Sequence, residues 1–203
     1  GIDGIVPVGT TGESPTLTHE EHKKVIERVV KAAGGEVPVI GGAGSNSTAE
    51  AIELAAFAKK VGADATLQVD PYYNKPTQEG FYQHFKAIAE EVNLPIVLYD
   101  IPGRCGAGMT ADTVVRLSEV ENIVAIKDAT GKLDHVSEIS SRCDLTILSG
   151  DDSMTLPIAS VGGKGVISVI ANIVPADMKA LTDAILEGDF AQALKWHKKL
   201  FTL

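Results

Sequence analysis

Two polar residues close otherwise apolar, strand-like runs: Lys127 ends 123-IVAIK and Tyr99 ends 95-PIVLY. An amine attacks a carbonyl only when unprotonated, and apolar surroundings disfavour the ammonium form. Alternation along 123-IVAIKD puts Ile123, Ala125 and Lys127 on one face, with Val124, Ile126 and Asp128 on the other. Turned inward, Lys127 would be a nucleophile able to form an imine. Tyr99 holds the matching position of the preceding strand, and adjacent parallel strands lie about 5 Å apart, so phenol and amine can converge. Imine chemistry needs protons moved when the carbinolamine loses water and when the enamine forms. A tyrosine hydroxyl linked to threonine hydroxyls suits that task, which makes Thr10, Thr11 and Tyr73 candidates for the relay. The plainer alternative is a rim lysine reaching water; the matched position of Tyr99 favours chemistry.

The elements that must position these residues are legible as alternation. Runs rich in Val and Ile recur at 4-GIVPVG, 37-VPVIGG, 65-ATLQVD, 95-PIVLYD, 123-IVAIKD, 145-LTILSG and 165-GVISV, each followed by a helix-period segment. Thr18 with Glu21, and Ser47 with Glu50, have capping-box spacing. Val25, Ile26, Val29, Val30 and Ala33 then share a face, as do Phe81, Phe85, Ile88 and Val92, and Met178, Leu181 and Ile185. The segment 190-FAQALKWHKKL reads as one more helix.

This alternation predicts a parallel sheet, either closed as a barrel or open and doubly wound. Reactive or flexible residues stand at every strand's C-terminal end, the rim where a (β/α)8 barrel places its site. No Gly-rich dinucleotide fingerprint follows the first strand. The expected fold class is therefore α/β, a TIM (β/α)8 barrel forming a single domain over 1–203, with seven of the eight strands visible and one βα unit outside the sequence.

Composition narrows the function classes. Eighteen basic against 27 acidic residues give a net charge of −9, without a basic stripe to follow a phosphate backbone, so no nucleic-acid partner is expected. No apolar run reaches bilayer length, so no membrane partner is expected either. Cys105 and Cys143 form neither a disulfide framework nor a C-x-x-C pair, which fits a reducing cytoplasm.

Other signals have bland readings. The Gly-rich pieces 41-GGAGSN and 162-GGKGV lack phosphate-loop spacing and read as tight turns. His19 and His22 sit one helical turn apart with no third ligand, so no metal is expected and both read as solvated. Asp151 and Asp152 read as acidic residues complementing the start of a helix.

Taken together, 8-VGTTGE-13, 70-DPYYNKP-76, 99-YDIPGR-104, 126-IKDATG-131 and 148-LSGDD-152 resemble the dihydrodipicolinate synthase family, over essentially the whole chain. That family belongs to the pyruvate-dependent class I lyases and aldolases. The resemblance implies a Schiff base between Lys127 and pyruvate, with Tyr99, Thr11 and Tyr73 relaying protons and Tyr73 contributed across a dimer interface. It implies that the Thr10 and Thr11 amides hold the pyruvate carboxylate, that Gly150 and Ile167 line the site, and that Arg104 at its mouth meets L-aspartate 4-semialdehyde. No metal and no diffusible cofactor are implied. Ser14, His19, His22, Asn46, Glu50 and Tyr72 match positions that bind the feedback inhibitor L-lysine in some members. The family further implies a cytoplasmic homotetramer, built as a dimer of dimers, and a small helical region after about Leu203.

Thr10-Thr11 with Arg104 favours the synthase over the N-acetylneuraminate lyase and 2-keto-3-deoxy sugar acid aldolase branches. A non-catalytic metabolite-binding barrel, or an inactive fragment, are the readings from another class. Two residues depart from the family pattern: Asp70 stands where threonine usually precedes Pro-Tyr-Tyr, and Asp100 where asparagine is commoner after the tyrosine.

Overall fold

The computed structural model describes all 203 residues. Six parallel strands make one curled sheet in sequence order: β1 (Ile40–Gly42), β2 (Ala65–Val69), β3 (Ile96–Asp100), β4 (Ile123–Asp128), β5 (Thr146–Ser149) and β6 (Gly165–Val166). The helices are α1 (His19–Ala33), α2 (Thr48–Val61), α3 (Gln78–Val92), α4 (Pro102–Cys105), α5 (Ala111–Ser118), α6 (Leu133–Ser140), α7 (Thr155–Ala159), α8 (Pro175–Leu186) and α9 (Phe190–Leu200). Order and parallel sense are those expected of consecutive βα units.

The count of seven strands is not met. The run 4-GIVPVG makes only one bridge, Ile5 with Val39. The Pro7 carbonyl still accepts from Gly42 N–H at 3.0 Å, but Pro7 has no N–H to close a second bridge, and Val8, bent to φ 49°, turns the chain away. The last strand is also shorter than expected. Asp152 accepts the Val169 amide at 3.0 Å and the Ile170 amide at 3.2 Å, drawing the chain after β6 into a 3-10 turn.

Local chemistry starts and stops the helices. At α1 the capping box forms in full: Thr18 N–H donates to Glu21 Oε2 at 2.9 Å and Glu21 N–H to Thr18 Oγ1 at 3.3 Å. At α2 only half of it forms. Ser47 Oγ accepts from Glu50 N–H, but the Glu50 carboxylate turns away to Ser45 and His19. A left-handed Gly34 (φ 57°) ends α1, a left-handed Gly62 (φ 91°) ends α2 and a left-handed Asn93 (φ 47°) ends α3.

The larger core lies between sheet and helices, where Phe81, Phe85, Ile88, Leu117 and Ile126 are wholly buried. A smaller cluster of Leu67, Val97, Tyr99 and Ala125 fills the concave face. The predicted alternation of β4 holds from Ala125 onward and fails at Ile123, which packs in the helix layer. A register irregularity is the cause: Ile96 pairs with Ile123, and Val97 already with Ala125, leaving Val124 as an extra residue.

Candidate active site

Register places the two key residues side by side, since Tyr99 of β3 and Lys127 of β4 are direct Cα partners. Both point to the concave face and both are buried, Lys127 being 7% exposed and Tyr99 4%. Lys127 Nζ lies 4.0 Å from the centroid of the Tyr99 ring. Burial pulls the Lys127 amine down to about 8; Asp151 and Asp152 pull it back up and Arg104 adds to the depression. Burial raises the Tyr99 phenol above its usual range, and the Thr10 side chain opposes that rise. The result is an amine accessible in its free form, beside a hydroxyl that keeps its proton.

Thr10 and Thr11 lie in a 3-10 turn, Thr10–Gly12, entered through the left-handed Val8. This turn rests on β1 because Gly42 permits it: a Cβ at Gly42 would fall 2.3 Å from the Val8 carbonyl oxygen. Gly44 likewise leaves room for the Val69 backbone. Gly42 and Gly44 of 41-GGAGSN are thus points of close backbone approach rather than turn formers, while Gly41 packs against the Ala58 and Ile26 side chains.

Gly150 and Ile167 complete the rim on the other side. Gly150 N–H donates to the Asp128 carbonyl at 2.7 Å and Ile167 N–H to that of Ser149 at 3.0 Å. Ile167 packs against the concave cluster that holds Tyr99. Arg104, on α4, is exposed, and its charge acts on both Lys127 and Tyr99. Tyr73 is not brought into this group: it projects from the surface, 89% exposed and at φ 73°.

The other matched residues converge on a second pocket of about 140 Å³, whose lining includes Ser14, His19, His22, Glu50 and Tyr72. Asn46 stands beside it, its Nδ2 donating to the Tyr72 carbonyl at 3.1 Å. The expectation of solvated histidines is corrected for His22, which is buried with Nε2 donating to the Gly42 carbonyl at 2.6 Å. Only His19 is open to solvent, and its Nε2 pairs with Glu50 at 2.8 Å.

Some polar residues with structural work escaped the sequence reading. Asp152 clamps the segment after β6 instead of merely complementing its own helix start. Asp128 accepts from Thr130 N–H at 3.1 Å and pairs with His135 Nδ1 at 2.9 Å. Burial pulls the His135 imidazolium down, but Asp128 outweighs it and leaves the ring above its usual range. The D-x-T spacing of 128-DAT was the one available signal, an aspartate receiving the amide two residues on.

A buried lysine of lowered basicity, flanked by tyrosine at the C-terminal rim of a parallel α/β sheet, has the features that Schiff-base chemistry requires. The profile of the Dihydrodipicolinate synthetase family matches residues 1–203, and the chain belongs to that family. A relative from Methanocaldococcus jannaschii, named 4-hydroxy-tetrahydrodipicolinate synthase, is 57% identical over 204 residues, covering 100% of this chain and 71% of its own length. Two solved structures are similar throughout. The chloride-inhibited dihydrodipicolinate synthase from Acinetobacter baumannii, complexed with pyruvate, has 48% identity and a TM-score of 0.95 over 98% of this chain and 69% of its own. The enzyme from Cyanidioschyzon merolae with lysine bound has 45% identity and a TM-score of 0.93 over 96% and 67%. No helix is long and apolar enough to cross a membrane.

Proposed function

We propose that the Lys127 site condenses pyruvate with L-aspartate 4-semialdehyde to give 4-hydroxy-tetrahydrodipicolinate, the carbon–carbon lyase reaction of lysine and diaminopimelate biosynthesis. The observation that carries it is Lys127 itself, buried beside Tyr99 with its amine pulled down to about 8. The free amine adds to the keto carbon of pyruvate; the carbinolamine loses water to give the imine, and loss of a methyl proton gives the enamine that attacks the aldehyde. The Thr10 and Thr11 amides hold the pyruvate carboxylate, while Tyr99 and Thr11 move the protons. Arg104, exposed at the mouth, receives the second substrate's carboxylate. That charge favours an acidic acceptor over the sugar aldehydes of the related aldolases.

Tyr73 completes the relay of a second copy, which its outward projection supports, in a homotetramer assembled as a dimer of dimers. The free thiols of Cys105 and Cys143 fit the cytoplasm. The second pocket takes L-lysine as a feedback inhibitor: Glu50 can meet an ammonium, and His19 and Tyr72 supply further polar contacts. The decisive experiment is borohydride reduction in the presence of pyruvate, followed by intact mass and peptide mapping. A single adduct on Lys127 is expected. Trapping at another lysine, or none at all, would overturn the assignment.

A further inference from the structure

The two departures from the family pattern meet in the structure. Val69 and Tyr99 are register partners, and the Asp70 amide donates to the Tyr99 carbonyl at 2.9 Å, so Asp70 and Asp100 follow side by side at the ends of β2 and β3. Tyr99 faces the concave side; Asp100, one residue on, faces the helix layer. Both aspartates are 0% exposed.

Asp128 is the register partner of Asp100 on the next strand, but it is satisfied by His135, Thr130 N–H and the Thr130 hydroxyl. Asp70 and Asp100 are not. One Asp70 oxygen accepts the Ile101 amide at 3.3 Å, and the Met109 amide faces Asp100 and favours its ionised form, but the second Asp70 oxygen and both Asp100 oxygens have no partner within hydrogen-bonding geometry. No three His, Cys, Asp or Glu side chains converge to hold a metal ion there. Two adjacent buried carboxylates, offered only the Ile101 amide and the longer-range Met109 amide, cannot both ionise, and a proton shared between them supplies the missing donor.

The pair sits under the turn that carries Arg104. Ile101, whose amide reaches Asp70, immediately precedes α4, and Cys105 at the other end of α4 donates its Sγ–H to the Asp70 carbonyl at 3.4 Å. Beyond the turn, Gly108 packs so closely on Asp100 that a Cβ there would fall 2.6 Å from Asp100 Oδ1. We propose that Asp70 and Asp100 share one proton and act as a positioning pair for the Pro102–Cys105 turn, so that departure of the proton releases Arg104 and weakens capture of the acceptor.

The electrostatics agree with that geometry. Burial, and then the neighbouring Asp100, push Asp70 well above the usual carboxylate range, and burial raises Asp100 as well. The other groups facing the pair are Asp128 from β4, His135 from α6 and the Cys105 thiol from α4. Burial and the two aspartates push that thiol up to about 12, so it remains a neutral donor. With both aspartates raised, the stabilising proton is held at low pH and lost as pH rises through the pair's folded-state value. The link to acceptor capture rests on the role proposed above for Arg104.

Asp100→Asn in the assembled enzyme replaces the shared proton by a permanent N–H donor and tests the proposal. Wild type should show the infrared carbonyl band of a neutral carboxylic acid at pH 7, and Asp100→Asn should lack it. Hydrogen exchange at 101–105, corrected for its intrinsic pH dependence, should accelerate at alkaline pH in wild type alone. The KM for L-aspartate 4-semialdehyde should rise roughly tenfold over the same range in wild type and stay flat in the variant, with pyruvate trapping at Lys127 alike in both. A wild type without the band, or the same alkaline loosening in both proteins, would overturn proton sharing. A band and loosening without the change in KM would overturn the link to Arg104. Failure of pyruvate trapping would refute the functional reading while leaving the infrared and exchange results to decide the pair.

Discussion

Replacing Lys127 with methionine should abolish imine formation and make the protein more stable at neutral pH. The amine's fall from 10.5 to about 8 is the net cost that the site imposes on the ammonium form, burial first, and corresponds to roughly 3 kcal/mol at about 1.36 kcal/mol per unit. At pH 7 the same displacement leaves about 300-fold more free amine than an ordinary lysine would have. Methionine has a similar length and no charge to desolvate. It forfeits the ammonium contact with the Tyr99 ring, worth about 0.5–2 kcal/mol. The net gain is about 1–3 kcal/mol, or about 2–12 °C in melting temperature for a chain of this size.

The pH dependence separates this account from better packing alone. A base with a depressed folded-state value is penalised fully below about 8, and the penalty disappears as pH rises towards 10.5, so the advantage of methionine must shrink over that window. Thermal melts of wild type and Lys127→Met at pH 7 and near pH 10, alongside pyruvate and borohydride trapping, provide the assay. Wild-type trapping should rise with pH around a midpoint near 8. A variant less stable than wild type at pH 7, or equally favoured at both pH values, would refute the claim that burial charges the lysine for its reactivity.

Tyr99→Phe should preserve the fold, since the ring stays, and cut turnover by about 10²–10⁴ through loss of proton transfer, which steady-state kinetics would show. Glu50→Gln removes the carboxylate that pairs with His19 in the second pocket, and should weaken L-lysine inhibition at least tenfold with little change in the KM for pyruvate. Gly42→Ala drives a methyl against the Val8 carbonyl, 2.3 Å from the required Cβ position. It should destabilise by about 1–3 kcal/mol, as overpacking does, and because Thr10 and Thr11 follow Val8 it should also raise the KM for pyruvate.

The parts of the site carried by strands were readable because alternation is a backbone property. Once Ala125 is known to face inward, Lys127 must as well, and Tyr99 follows from the parallel register. What was not readable depended on irregular backbone. Nothing in 123-IVAIKD announces that Val124 is the extra residue that sends Ile123 to the other face. The segment 4-GIVPVG has strand composition, but Pro7 and the left-handed Val8 reduce it to a bridge and turn the chain toward Thr10. The two histidines illustrate the same boundary. Helical spacing put His19 and His22 on neighbouring positions, yet only the fold decides that the Gly42 carbonyl lies within reach of one of them.

Lys127 and the Asp70–Asp100 pair show one physical principle acting on opposite faces of the same strands. Burial disfavours charge, which frees an amine on the concave face and retains a proton on the helix face. Because Tyr99 and Asp100 are consecutive in β3, whatever fixes one peptide fixes both faces, and the Asp70 amide bonded to the Tyr99 carbonyl ties β2 to that point. An aspartate at 70 alone, opposite a neutral amide at 100, would find a donor and ionise in place. With aspartate at both positions the proton is required, so the two departures from the family pattern have to be understood as a pair. Restoring either one should therefore remove most of the cost of keeping that proton at neutral pH that restoring both removes, a non-additive outcome that stability measurements on Asp70→Thr, Asp100→Asn and the double variant would expose.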